Sequence, residues 1–231
     1  MGEIFCDYNT GMLTLQPRDE NDHGLSAHYS EIQATAYHEA GHAVVQYALG
    51  WGIRDIGMRT RIVHDKDNEK GITYSGVCYV THSCNARVNQ ALRRGQFCWD
   101  LLVLGIKAAA GPAAERKYCL SDDVPVRTRL TSEGDREQID YAAFRLLRNG
   151  RNPDAFRRLV WRQAQLILED QIIWQTVSEL AVNLQNFWPH ENELGDYEEI
   201  LDGRTARAWI QDSGVRAGML RPKKHRVARE A

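Results

Sequence analysis

The sequence predicts a mainly α fold of the α+β type, a helical domain with a small β-hairpin or sheet beside one chemically loaded helix. Three observations carry this. Apolar residues recur at a 3.6-residue period across 153–187, two β-rich runs flank a polar turn at 65–68, and an Ala-rich stretch around 34–49 holds two His four positions apart.

Taken in order, residues 1–30 mix polar residues with Gly11, Pro17 and Gly24, keep no sustained period, and read as an extended or partly ordered lead-in. A helix is expected over about Glu31 to Leu49, stopped by Gly50-Trp51-Gly52. Ile53 to Val63 and Gly71 to Val80, around Asp65-Lys66-Asp67-Asn68, form a hairpin. Helices follow over about Asn85 to Ala110, Ala113 to Tyr118 and Asp135 to Arg148. A long helical stretch from Pro153 to Phe187 comes next, bent or split. Its apolar set is Phe156, Leu159, Val160, Ala164, Ile167 and Leu168, then Ile172, Ile173, Val177, Leu180, Ala181 and Leu184. That set reads as core, with Trp161, Trp174 and Trp188 as packing anchors. A single domain over 31–215 with a basic tail at 216–231 is the expected division.

The chemistry is concentrated in Ala36-Tyr37-His38-Glu39-Ala40-Gly41-His42-Ala43. On a helix, residues four apart share a face, so His38 and His42 can aim both imidazoles at one ion about 2.0–2.1 Å from each nitrogen. Glu39 stands beside them as a general base for water acidified by the cation. The pattern therefore predicts a Zn2+ hydrolase site, which also needs a third ligand from a downstream His, Asp or Glu. The alternative, two polar positions on a surface helix, fits poorly with the small flanks Ala34, Ala36, Ala40, Gly41, Ala43 and Ala48, which admit close backbone packing.

With these residues in view, the chain resembles the peptidase domain of the FtsH-type membrane AAA proteases, whose zinc helix carries the same Ala-Tyr-His-Glu-Ala-Gly-His-Ala wording. Ala110-Gly111-Pro112-Ala113-Ala114-Glu115 is similar to that family's Gly-Gly-Arg-Ala-Ala-Glu-Glu helix. Thr131-Ser132-Glu133-Gly134-Asp135 is similar to its Thr-Gly-Ala-x-Asn-Asp turn, and Ile200-Leu201-Asp202-Gly203 to its closing Thr-Leu-Asp-Gly-Glu-Glu segment. The similarity spans about Glu31 to Ile210. It implies a helical zinc-metallopeptidase domain with the hairpin beside the His-Glu-x-x-His helix, His38, His42 and Asp135 as zinc ligands, and Glu39 as general base. Glu115 is implied as the hydrogen-bond partner that orients an imidazole, its rival role being direct coordination. Pro112 and Arg116 depart from the family's Arg and second Glu.

In zinc peptidases an edge strand near the metal holds substrate backbone, which makes Gly71, Ile72, Thr73, Tyr74, Ser75 and Gly76 the candidate substrate strand. The expected function is a soluble, ATP-independent zinc metalloendopeptidase acting on unfolded or flexible polypeptides. The alternative is a zinc-containing FtsH-like module used in binding or assembly, or served by an ATPase in trans. No Gly-x-x-x-x-Gly-Lys-Ser/Thr loop occurs in the sequence, and no apolar run reaches 18 residues; Leu101 to Ala110 is interrupted by Gly105 and Lys107. The N-terminus lacks the basic start and apolar core of a secretion signal, so a cytoplasmic protein is expected. A formal net charge of −2 argues against a nucleic-acid partner, and Arg221 to Arg226 reads as a solvated basic stretch. The expected partner is a polypeptide substrate, with no membrane and with self-association left open. Cys6, Cys78, Cys84, Cys98 and Cys119 contain no Cys-x-x-Cys pair and read as reduced thiols, and His82-Ser83-Cys84 as a loop.

Overall fold

In the computed structural model, residues 5–7, 12–14, 24–64, 70–81, 86, 89–90, 99–122, 133–146, 152–186 and 197–221 are described. The architecture is mainly α with a small antiparallel sheet, as the periodicities predict. The hairpin turn at 65–68, Trp188, the His82-Ser83-Cys84 cluster and most of the helix expected from Asn85 to residue 98 lie outside the described residues.

Part of the lead-in forms regular structure. Strands β1 (Phe5–Asp7) and β2 (Met12–Thr14) pair antiparallel, and helix α1 begins at Gly24 rather than Glu31, running Gly24–Ala48. The reason is local: after Gly24 no Gly or Pro occurs until Gly41, so nothing stops the helix from growing back. At the other end Gly50 takes φ +90, a conformation that favours glycine. The Trp51 N–H then donates to the Gln46 carbonyl at 2.8 Å and the Gly50 N–H to that of Tyr47 at 2.9 Å, a glycine-closed helix end. Two more bonds come from far along the chain: the Gly218 and Leu220 N–H groups reach the Tyr47 and Ala48 carbonyls. The folded domain therefore continues past residue 215 to cap this helix.

Strands β3 (Ile53–His64) and β4 (Lys70–Val80) form the expected hairpin, with Met58 opposite Gly76 and Ile62 opposite Ile72. Strand β5 (Tyr197–Asp202) pairs with the other side of β3, so the order is β4-β3-β5 and β4 is an edge among the described residues. Its last residue, Asp202, caps helix α6 (Gly203–Asp212) by accepting from the Arg204 and Thr205 N–H groups.

Helix α2 (Trp99–Ser121) corrects the expectation of two helices meeting near Gly111-Pro112, since it runs unbroken through Pro112. An interior proline forfeits one backbone bond and strains the preceding turn. Packing overrides this, because residues 105–115 are buried without exception and pinned between α1 and the later helices. Helix α3 (Glu133–Leu146) places Glu133 and Asp135 in its first turn, where the helix dipole favours carboxylates.

The long stretch splits into α4 (Pro153–Glu169) and α5 (Gln171–Asn186) at Asp170, whose carboxylate accepts from the Ile172 and Ile173 N–H groups and so starts the second helix. Most of the predicted apolar set is core, with Ile167, Trp161 and Trp174 packed against it. Leu159 and Ile172 are corrections, 47% and 48% exposed. The buried stripe of α4 is the narrow i, i+4 row Phe156, Val160, Ala164, Leu168, which leaves Leu159 on its flank, while Ile172 sits in the first turn beside the break. Helix α1 lies at the centre, touching α2, α5 and the β3–β4 sheet. Among the described residues no helix is long and apolar enough to cross a membrane.

Candidate metal centre

The site is assembled where α1, α2, α3 and the edge strand β4 meet. His38 and His42 project from one face of α1, with ring centroids 4.7 Å apart and planes nearly perpendicular. Asp135, from the first turn of α3, closes the group. His38 Nε2 lies 2.9 Å from its Oδ2 and His42 Nε2 lies 3.2 Å from its Oδ1. The three residues are 8%, 3% and 4% exposed, and their ligand atoms fall within 4.8 Å of one another. A buried His-His-Asp group of this kind can hold a metal ion.

The second nitrogen of each ring decides what the first can do. His42 Nδ1 is 2.7 Å from the main-chain oxygen of Lys107, which can only accept, so Nδ1 carries the hydrogen and Nε2 presents a lone pair. That lone pair faces a carboxylate oxygen, an arrangement that needs a proton or a cation between the two acceptors. His38 Nδ1 is likewise 2.8 Å from Glu115 Oε2, which orients the ring and leaves Nε2 toward Asp135. Four-coordinate zinc with bonds of about 2.0–2.1 Å would set its ligand atoms roughly 3.3 Å apart, and the two imidazole–Asp135 separations of 2.9 and 3.2 Å are close to that.

Of the two carboxylates weighed for the third position, Asp135 is the one grouped with both Nε2 atoms, while Glu115 sits behind His38 on the far nitrogen. Replacing each with Ala should separate the two roles. Zinc titration of Asp135→Ala is expected to lose stoichiometric binding, while Glu115→Ala retains the site with affinity lowered about 10–100-fold. Equal losses in the two variants would contradict this division.

Without a metal, protons do the bridging. Burial disfavours a charged His38, yet the Asp135 and Glu115 carboxylates outweigh it and push its pKa up to about 10. Burial likewise opposes an ionised Asp135, but the two imidazoles beside it hold its carboxyl far below the usual range. A dication in the same place takes over this role from the proton.

Glu39 is not itself a member of this group. It is 3% exposed, and its Oε2 has no hydrogen-bond partner among the described residues. Burial raises its pKa, partly offset by the charges of His38, His42 and Lys107. Gly76 of β4 abuts it so closely that a Cβ there would stand 2.6 Å from Glu39 Cδ and Oε1. The Gly76 end of the candidate substrate strand Gly71–Gly76 therefore lies against Glu39, on a strand at the sheet edge among the described residues. The side chains of Gly71 to Tyr74 lie outside the described residues.

Sequence reasoning missed two participants. Gly111 of α2 covers both rings, and a Cβ there would meet His42 Cε1 at 2.5 Å and His38 Cδ2 at 2.7 Å, with His42 Nε2 nearer still. Lys107 is 6% exposed, one turn before Gly111 on the same face. Its signal was present, as the lone charge in the apolar run from Leu101 to Ala114. Compared with known proteins, the chain matches no family model and no curated protein.

Proposed function

We propose that this chain is a zinc metallopeptidase that hydrolyses peptide bonds of unfolded or flexible polypeptides without needing ATP. The observation that carries the reading is Glu39 Oε2, a buried carboxylate oxygen with no hydrogen-bond partner among the described residues, one residue from His38 and beside strand β4. A buried acceptor without a partner is costly in a fold, and a proton-transfer role accounts for its retention. The two-nitrogen, one-carboxylate donor set suits zinc, which keeps a fourth position open in catalytic sites. Bound there, zinc supplies a Lewis acid that polarises a carbonyl and lowers the pKa of water to about 7.

The protein's own residues do the rest. Glu39 Oε2 accepts the proton of the attacking water and passes it to the departing amine nitrogen. Glu115 and the Lys107 carbonyl keep His38 and His42 in the tautomers that leave each Nε2 free to bind. Strand β4, whose outer edge is unpaired among the described residues, offers that edge to extended substrate backbone, an association that folded chains cannot make. The likeness of four motifs, in order, to FtsH-type peptidase domains supports the same reading.

The test is turnover of casein by the purified full chain, with and without a chelator and with zinc restored. Cleavage that disappears on chelation and returns with one equivalent of zinc is expected. A chain that holds zinc and cleaves nothing would shift the reading to a binding or assembly module.

A further inference from the structure

We infer that Lys107 is the fixed counter-cation of the metal centre, a specificity-determining residue that sets how tightly the site holds a dication; the role rests on the metal reading of the His38, His42 and Asp135 group. Three carboxylates are buried around that group, Glu39, Glu115 and Asp135, at 3%, 5% and 4% exposure. Among the described residues Lys107 is the one buried Lys or Arg. A dication and the lysine side chain are the two cations the geometry offers to these three carboxylates. Burying charge is tolerated only when it is compensated, so the lysine and the ion together neutralise what neither does alone.

Placement supports the assignment. Lys107, Gly111 and Glu115 recur every four residues along α2, the face packed on α1, so the lysine shares the stripe that touches both imidazoles. Its main-chain oxygen holds His42 at 2.7 Å. Its side-chain charge bears on Glu39 and on Cys78 of β4, which accepts a hydrogen bond from the fully buried Gln46. The competing partner is Asp100, buried two turns earlier on the same helix and roughly 10 Å away along its axis. Asp100, in the first turn of α2, accepts from Trp51 Nε1 at 2.9 Å.

The consequence concerns affinity. A positive charge held near the ion in a buried setting repels it, so the lysine lowers affinity below what the ligands alone would give. Zinc dissociation constants, measured by competition with a chromophoric chelator at fixed pH and ionic strength, should separate charge from packing. Lys107→Met keeps volume and removes charge, and is expected to tighten zinc binding at least about tenfold. Lys107→Gln should move the same way, whereas Lys107→Arg should stay near wild type. Arg136→Gln removes an exposed charge next to Asp135 and should change affinity little, because solvent screens it.

Neutral variants that bind no tighter than wild type, or an Arg variant that tightens as much as they do, would overturn the assignment. Should Lys107→Met fail to fold, Lys107→Gln carries the same comparison. A folded wild-type chain that takes up no zinc would instead remove the metal reading, and this role with it.

Discussion

Glu39→Gln is expected to lower the rate of peptide cleavage by roughly 10^2–10^4-fold, the range for losing a positioned general base, while zinc stays at one per chain. The exchange is nearly isosteric and touches no ligand, because His38, His42 and Asp135 form the metal group without Glu39. It removes no hydrogen bond at Oε2, which has none among the described residues. The fold should therefore gain. Burial raises the Glu39 pKa from its ordinary 4.5, so at pH values above that point the unfolded chain ionises the carboxyl more readily than the folded one does. The folded state loses stability over that rise in pH, and the loss is complete once the raised folded pKa is passed. In the metal-free protein, Glu39→Gln should then melt at or above the wild-type temperature at neutral pH and match it only in acid. Undiminished cleavage with full zinc content would remove Glu39 from the chemistry. Lost cleavage with lost zinc would show that the residue holds the site together instead.

What the sequence made legible follows from the range of each interaction. The spacing of His38 and His42 is a local property of a helix, so the pair could be read directly. The alternation in β3 and β4 and the apolar row of α4 are local in the same sense. Asp135 and Glu115 lie 97 and 77 residues from His38 and meet it only through the packing of α3 and α2 on α1. Nothing in their immediate surroundings marks them, and it was the resemblance of whole motifs that singled them out. Pro112 misled for the opposite reason. Its local meaning, a helix boundary, is overruled by burial of the residues on both sides. Leu159 and Ile172 show the limit of periodicity, because a 3.6-residue stripe says which face is apolar but not how wide a strip the neighbours cover.

Gly111→Ala is expected to abolish stoichiometric zinc binding, although by intrinsic propensity alone it should help the helix by about 1 kcal/mol. The added methyl would sit 2.5 Å from His42 Cε1 and 2.7 Å from His38 Cδ2. Something must then move, and each partner is held. Glu115 fixes His38 and the Lys107 carbonyl fixes His42, both from the same helix that carries the new methyl. Helix α2 cannot back away from α1 freely, since α4 packs against it: a Cβ at Gly105 would already meet Val160 Cγ1 at 2.9 Å and Phe156 Cζ at 3.0 Å. Forcing extra volume into a packed interior costs roughly 1–3 kcal/mol, or about 2–4 °C in unfolding midpoint for each kcal/mol in a chain of this size. Gly134→Ala supplies the contrast. It lies next to Asp135 in the first turn of α3 with nothing within 4 Å of its added Cβ, so it should keep zinc and melt slightly higher. If Gly111→Ala bound zinc as tightly as Gly134→Ala does, the imidazoles would have room to spare. The tight cradle that aligns them for a metal would then have to be abandoned.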